Sequence, residues 1–369
     1  MNAYIHIPFC TSICSYCDFT SFAGQEGKMS AYVDALCREI AQSSLAGPLE
    51  TVYFGGGTPS LLPPEKIGQI LKTIREKAGL GAAAEVSMEA NPETVGIERL
   101  RAYRALGVNR LSFGAQAFQK EILKKLGRGH QWDRVEGAFQ EAREAGFENI
   151  NLDLIFGLPG QTPALFQESL QKAQALGPEH LSLYALQVEE GTPLAKQVGE
   201  GLALPTEDDM ADEYAWAQGF LSQWGYEQYE VSNFAKPGAS CRHNWNIWRG
   251  EDYWGFGVSA VGTVQGLRHS HGEDLMEYIR LAGNGGRLLQ TEYLSPKTRS
   301  WEKLMLGLRT SQGVLRTEVE EFAETGGISH AEKFNRLFKE GFLILREDRY
   351  QVTPKGYFVL NGILGVLAA

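Results

Sequence analysis

The apolar positions in the first half of the chain follow two periods in turn. Short runs rich in β-branched and aromatic residues recur at "AYIHIP" near residue 5, "TVYFGGG" near 53, "AEVSMEA" near 87, "RLSFGAQ" near 112, "NINLDLIFGLP" near 153 and "HLSLYALQ" near 183. These read as strands. Between them the apolar residues fall at i, i+3, i+4 and i+7. Val33, Leu36, Cys37 and Ile40 form one such stripe. Ile67, Ile70, Leu71 and Ile74 form a second, with Pro64 in its first turn and Gly79 as its stop. Val135, Ala138, Phe139 and Ala142 form a third, stopped by Gly146. Each spacing predicts a helix with one buried face. Strands alternating with helices predict βαβ units and a parallel sheet. Six units build most of a barrel but fall short of a closed eight-stranded one. The expected fold class is α/β, a partial (β/α)6 TIM-like barrel.

The polar residues refine this picture at one end of the strands. Glu89, Gln116, Asp153 and Gln187 each sit at or just past the C-terminal end of a predicted strand, the end that carries the active site in β/α barrels. One such residue alone reads as a helix cap. Four of them in successive strands read as the wall of a shared pocket.

From about residue 233 the rhythm changes, and aromatics and glycines crowd "NFAKPGASCRHNWNIWRGEDYWGFGVSAVG". The remainder reads as helices, a hairpin around "LILREDRYQVTP" and a final helix. That order predicts a C-terminal α+β region including a small winged-helix-like domain. The expected division is 1–232 for the barrel, 233–295 for a connecting region and 296–369 for the C-terminal domain. Winged helices often bind DNA, but the predicted helix "RTEVEEFAE" carries Glu318, Glu320, Glu321 and Glu324, which repel phosphates. The module therefore reads as structural or protein-binding. The apolar tail "GYFVLNGILGVLAA" is shorter than the roughly 20 residues that span a bilayer. It reads as a helix packed on its own domain, with a peripheral membrane contact as the secondary reading.

Composition narrows the class. At 43% hydrophobic and 22% charged the chain is globular rather than disordered. Its net charge of −10 argues against nucleic acid as a partner. Five cysteines are too few, and odd in number, for a secreted disulfide scaffold. The N-terminus shows no basic, apolar leader, so clustered thiols read as metal ligands in a reducing, cytoplasmic setting.

Three of those cysteines fall together. Cys10, Cys14 and Cys17, in "CTSICSYC", follow the first strand directly, which places them on a loop at the barrel mouth. A structural zinc takes four ligands, and His6 or Asp18 offers a fourth. An iron–sulfur cube also normally takes four thiolates. With three supplied locally, one iron stays open for a ligand that is not protein. Cys37 reads as a small apolar filler on a buried helix face. Cys241 is too distant in sequence to be assigned as a ligand.

The C-x3-C-x2-C spacing after a first strand, with Tyr16 before the third cysteine, resembles the radical S-adenosylmethionine (SAM) superfamily. "YFGGGTPS" at 53–60 resembles that superfamily's glycine-rich SAM motif. The resemblance implies a [4Fe–4S] cluster on Cys10, Cys14 and Cys17, with its open iron chelated by the amino and carboxylate groups of SAM. Reduction of such a cluster cleaves SAM to methionine and a 5′-deoxyadenosyl radical. "YIHIPFC", "SMEANPE", "LSFGAQAF", "LGRGH" and "NLDLIFGLPGQT" extend the likeness. They resemble the branch that contains oxygen-independent coproporphyrinogen III dehydrogenase and the HemW-type haem chaperones. By motif, the implied SAM pocket has Tyr4 beside the ligand and backbone contacts from Gly56, Gly57 and Thr58. It has Glu89 on the amino group and Arg128 on the carboxylate. Gln116 and Asp153 correspond to positions that serve a second SAM in the dehydrogenase.

Three features point toward the chaperones within that branch. Phe19 stands where the dehydrogenase type has a further cysteine. Only three residues precede Tyr4, where the dehydrogenase has a long extension. "CRHNWNIW" at 241–248 resembles the H-N-x-x-Y-W motif associated with haem, with His243, Asn244 and Trp248 matching and Ile247 in place of tyrosine. An imidazole is a standard haem ligand, Cys241 lies two residues away, and Trp245, Trp248 and Trp254 offer flat apolar surfaces. By composition alone the same residues read rather as a core joining barrel to tail, with His243 a satisfied buried histidine. The reading favoured by the resemblance is a haem carrier that binds cluster, SAM and haem and passes haem to apo-haemoprotein clients, in particular respiratory ones. The rival readings are an oxidoreductase acting on coproporphyrinogen III propionates and another radical SAM enzyme such as a methyltransferase.

Overall fold

The computed structural model describes residues 1–129, 132–283, 289–326 and 329–368. His130 of the "LGRGH" motif lies outside them, as does the side chain of Glu324. Six parallel strands carry the first half: β1 (Asn2–Ile7), β2 (Leu49–Gly56), β3 (Leu80–Ala90), β4 (Arg110–Gln116), β5 (Ile150–Phe156) and β6 (His180–Ala185). They pair in chain order. The crossovers carry helices α1 (Met29–Gln42), α2 (Pro64–Lys77), α3 (Ile97–Leu106), α4 (Trp132–Glu144) and α5 (Pro163–Ala175). This is the partial (β/α)6 barrel that the alternating periods predict.

The second crossover helix shows why the local sequence folds this way. Pro64 opens α2, where its missing N–H costs nothing. Glu65 in the first turn and Arg75 and Lys77 in the last complement the helix dipole. Gly79, at φ +81°, ends the segment in a conformation that side chains disfavour. Ile67, Ile70, Leu71 and Ile74 are fully buried. Each contributes about 1.5–3 kcal/mol by burial, several times the spread of helix propensity among ordinary residues. Packing therefore decides the element. Val135, Ala138, Phe139 and Ala142 are likewise buried in α4, while Cys37 on α1 packs at the margin of the core.

After α6 (Glu207–Gln223) the chain returns to the same sheet rather than starting a separate one. Strand β7 (Asn233–Ala235) pairs antiparallel with β6. Strand β8 (Tyr253–Phe256) pairs parallel with β1 on the opposite edge. Beyond β8 lie β9 (Val261–Val264), β10 (Leu267–His271) and β11 (Leu289–Tyr293), all antiparallel. Between β7 and β8, helix α7 (Arg242–Trp248) crosses the N-terminal ends of the barrel strands, with Thr51 and Glu85 as its partners there. The C-terminal region runs helix (Pro296–Gly307), strand (Val314–Leu315), two helices (Arg316–Gly326 and Ser329–Lys339), then a hairpin of Leu343–Arg346 and Arg349–Val352. That order is winged-helix-like. The apolar tail forms a helix, Leu360–Ala368, with Leu360, Ile363, Leu364 and Leu367 buried against this region. Among the described residues no helix is long and apolar enough to cross a membrane.

Candidate functional site

At the C-terminal ends of the strands opens a cavity of about 430 Å³. Cys10, Cys14, Cys17, Tyr16, Gly56, Gly57, Thr58, Glu89, Gln116, Arg128, Asp153 and Gln187 all line it. Tyr4 does not reach the wall. It stands beside Tyr53, its register partner on the next strand, stacked at 6.2 Å between ring centroids, with its hydroxyl 3.0 Å from His6 Nδ1.

The cysteine loop is held by the protein itself. Ser15 N–H donates to the Leu126 carbonyl at 3.1 Å and Leu194 N–H to the Ser15 carbonyl at 2.8 Å. Tyr16 packs on a second apolar cluster that includes Ile122, Leu123, Leu126 and Leu158. His6 is no fourth ligand, since one ring nitrogen meets Tyr4 and the other the Thr20 carbonyl at 2.9 Å. Cys241 is no fourth ligand either. It is fully buried, 3.5 Å from the Glu85 carboxylate. Glu85 lies four residues below Glu89 on β3, about 13 Å along a strand. Among the described residues no three His, Cys, Asp or Glu side chains converge as a single-ion site. Three thiols on the wall of one cavity, with His6 and Cys241 engaged elsewhere, suit a cluster that keeps one iron open better than a structural zinc, which takes four protein ligands.

The glycine run is dictated by close approach. A Cβ on Gly55 would lie 2.9 Å from the Tyr4 ring, one on Gly56 2.6 Å from the His6 ring and one on Gly57 2.8 Å from the Phe9 carbonyl oxygen. The N–H groups here are spent internally: Gly56 on Glu89, Gly57 on the Ile7 carbonyl and Thr58 on the Phe9 carbonyl. The strand end therefore offers a ligand acceptors rather than donors, a match for an ammonium group.

The polar wall has two poles. Glu89 accepts from the Tyr53 hydroxyl at 2.8 Å and from Gly56 N–H at 3.2 Å. Removal from water, aided by nearby Asp153, pushes its carboxyl up to about 7 despite those bonds. Asp153 accepts from Ser112 at 3.0 Å and Asn151 at 2.7 Å, and burial raises its carboxyl as well. Opposite stands Arg128. One of its Nη atoms donates to the Tyr16 hydroxyl at 3.2 Å, while its buried Nε has no partner. A buried guanidinium N–H left unpaired is costly, and a carboxylate accepting from the guanidinium fork satisfies it. Gln116 takes its place through a left-handed backbone, φ +66°, at a register shift between β4 and β5.

Sequence reasoning missed Tyr53, Ser112, Asn151, Ser182 and Tyr184. All project into the barrel at period two, Tyr53 with Gly55, Ser112 with Gly114, Asn151 with Asp153 and Ser182 with Tyr184, so strand alternation alone would have found them.

The haem-type motif lies elsewhere, across the opposite end of the barrel. His243 is 2% exposed and points inward. Its Nδ1 is 2.8 Å from Thr51 Oγ1, and its ring stacks on Tyr53 at 5.1 Å. The structure does not present it to a haem. Asn244, Ile247 and Trp248 form the outer, half-buried face of α7. The Arg309 guanidinium lies 6.0 Å from the Trp248 ring, and Arg249 lies over Trp245 at 5.1 Å.

A barrel of this topology with a three-cysteine loop at its mouth defines a protein of the radical SAM class. The model of the radical SAM superfamily matches residues 4–173, and that of the HemN C-terminal domain matches 294–359. Superfamily membership implies a [4Fe–4S] cluster and SAM. The fold superposes on Escherichia coli coproporphyrinogen III oxidase (HemN), a radical SAM enzyme, with a TM-score of 0.87 at 27% identity, covering 99% of this chain and 89% of that one. Heme chaperone HemW of Bacillus subtilis is 37% identical over 99% of this chain and 98% of its own length. Heme chaperone HemW of Lactococcus lactis is 36% identical over 98% and 96%. The chain belongs to the HemW family of haem chaperones.

Proposed function

We propose that this protein is a haem carrier that holds a [4Fe–4S] cluster and SAM at the barrel mouth, binds haem, and delivers it to apo-haemoproteins. Cys10, Cys14 and Cys17 hold the cluster. When bound, the cluster supplies an open iron for the amino and carboxylate groups of SAM. Arg128, fixed by Tyr16, pairs with the carboxylate. Glu89 and the carbonyls of the glycine run accept from the amino group. Gln116 and Asp153 line the remaining wall. The observation that carries the site is that three thiols and an arginine with an unpartnered buried Nε line one cavity. Likeness to haem chaperones over nearly the whole chain, at 36–37% identity, supports the carrier role over decarboxylation of coproporphyrinogen. So does Phe19, 65% exposed at the mouth, where the dehydrogenase type carries cysteine.

Glu89 holds an ammonium strongly only when ionised, since protonation removes the charge and leaves a weaker acceptor. With its carboxyl near 7, SAM affinity falls as pH drops through that value. The expected loss is about tenfold for each pH unit below the midpoint. Equilibrium dialysis of the reconstituted protein tests this. Glu89→Gln removes that part of the profile, and an unchanged profile in the variant contradicts the assignment.

For haem we propose the outer face of α7. Trp248 and Ile247 offer apolar area, Asn244 a polar contact, and Arg249 and Arg309 cations for the propionates. Trp248→Ala is expected to weaken haem binding up to about tenfold, since a stacked aromatic pair contributes about 0.5–1.5 kcal/mol beyond the area it buries. The cluster content stays that of the parent. Absorbance titration checks both, and equal haem affinity in parent and variant moves the haem site elsewhere.

A further inference from the structure

Histidine 243 carries the first letter of a haem-type motif, yet it sits inside the barrel. Its ring is the last member of a stacked column, Tyr4–Tyr53–His243, with interplanar angles of 20° and 23°. The middle ring, Tyr53, donates its hydroxyl to Glu89 at 2.8 Å. The histidine is pinned from below by Thr51 Oγ1 at 2.8 Å, and Thr51 in turn donates to Asn2 Oδ1 at 2.9 Å. Asn246, one turn on in α7, donates to the same Asn2 oxygen at 2.8 Å. Backbone N–H groups of Arg242 and His243 are held by Glu85 at 3.0 and 3.1 Å. The histidine ring is thus fixed by β1, β2 and β3 together.

From this geometry we infer that His243 is a positioning residue for the SAM pocket: it acts through Tyr53 to hold the Glu89 carboxylate in place. Its ring backs the Tyr53 ring, fixes the hydroxyl toward Glu89, and leaves the second Glu89 oxygen on Gly56 N–H. Helix α7 then has two faces with two tasks, haem outside and the floor of the SAM pocket inside. The inference rests on the SAM site proposed above and reassigns one residue of the haem motif.

The test compares SAM affinity and its pH profile in reconstituted protein. His243→Ala is expected to weaken SAM binding about tenfold, the worth of one hydrogen bond to a charged group, with iron and sulfide content unchanged. His243→Phe keeps the stacked ring and restores binding to within about threefold, the part left being the Thr51 bond. Because Tyr53 steadies the ionised form of Glu89, its release in His243→Ala moves the midpoint of the profile to higher pH. The other groups facing Glu89, namely Asp153, Arg110, Tyr4 and Tyr184, are untouched by the substitution. In a Tyr53→Phe background His243→Ala costs nothing further. If His243→Ala fails to fold, Thr51→Val frees the same ring from below and shifts the profile in the same direction. Wild-type affinity and midpoint in these variants overturn the inference. So does a uniform loss of affinity with no shift. Absence of SAM binding in the wild type instead overturns the pocket itself.

Discussion

Serine in place of Cys10, Cys14 or Cys17 abolishes the brown absorbance of the anaerobically reconstituted protein and removes its iron and sulfide. The effect is all-or-none because, in the proposed site, each thiolate is one of three protein ligands, and a serine hydroxyl stays protonated where a thiol yields to iron. The fold does not follow the cluster down. The loop is tethered by Ser15 to Leu126 and by Leu194 to Ser15, and it is anchored by Tyr16 in the second apolar cluster. None of these contacts uses a thiol. The cluster-free parent and the three variants are therefore expected to melt together. Iron and sulfide retained in any one variant contradicts the assignment of that cysteine.

The largest effect on stability is expected at the other end of the barrel. Glu85 is 7% exposed and gathers the N-terminus of α7, accepting from Arg242 N–H, His243 N–H and the Cys241 thiol, as well as from Ser87. Arg110, itself 2% exposed, lies beside it. Glu85→Ala leaves two buried backbone donors unpaired and a buried cation without its counter-charge. The expected cost is about 3–5 kcal/mol, read as a lower urea midpoint with an unchanged slope. Glu85→Gln keeps acceptors for the backbone donors and loses the charge, so it falls between parent and alanine. A loss below about 1 kcal/mol for the alanine variant, the worth of a single neutral bond, contradicts this account of how α7 is fastened.

The barrel and its mouth were legible because their causes are local. Alternating periods define strands and helices, and Glu89, Gln116 and Asp153 sit where β/α order puts a pocket. The underside was not legible. Cys241 and Glu85 meet across 156 positions of sequence, and nothing near "CRHNWNIW" says which helix face turns inward. His243 and Asn246 make a polar stripe one turn apart, and such a stripe on a short helix ordinarily faces water. Here it faces the strand ends because Asn2, Thr51 and Glu85 offer partners there. The strands beyond residue 250 were hidden for a related reason. "YWGF" has no alternation of its own and becomes a strand by pairing with β1, Asn2 opposite Tyr253 through Ile5 opposite Phe256. Tyr4 illustrates the finer limit. Motif likeness puts it near the ligand, while in the fold its neighbour on the next strand, Tyr53, takes the place on the cavity wall and Tyr4 stacks beside it.

The most direct test of the carrier role is a haem titration of the anaerobically reconstituted protein, followed by absorbance, with coproporphyrinogen III and SAM supplied to the same preparation under reducing conditions. Saturable haem binding without formation of protoporphyrinogen is the predicted result. Turnover of coproporphyrinogen with only loose haem binding contradicts it, and makes the protein an enzyme of porphyrin synthesis whose outer α7 face is ordinary packing.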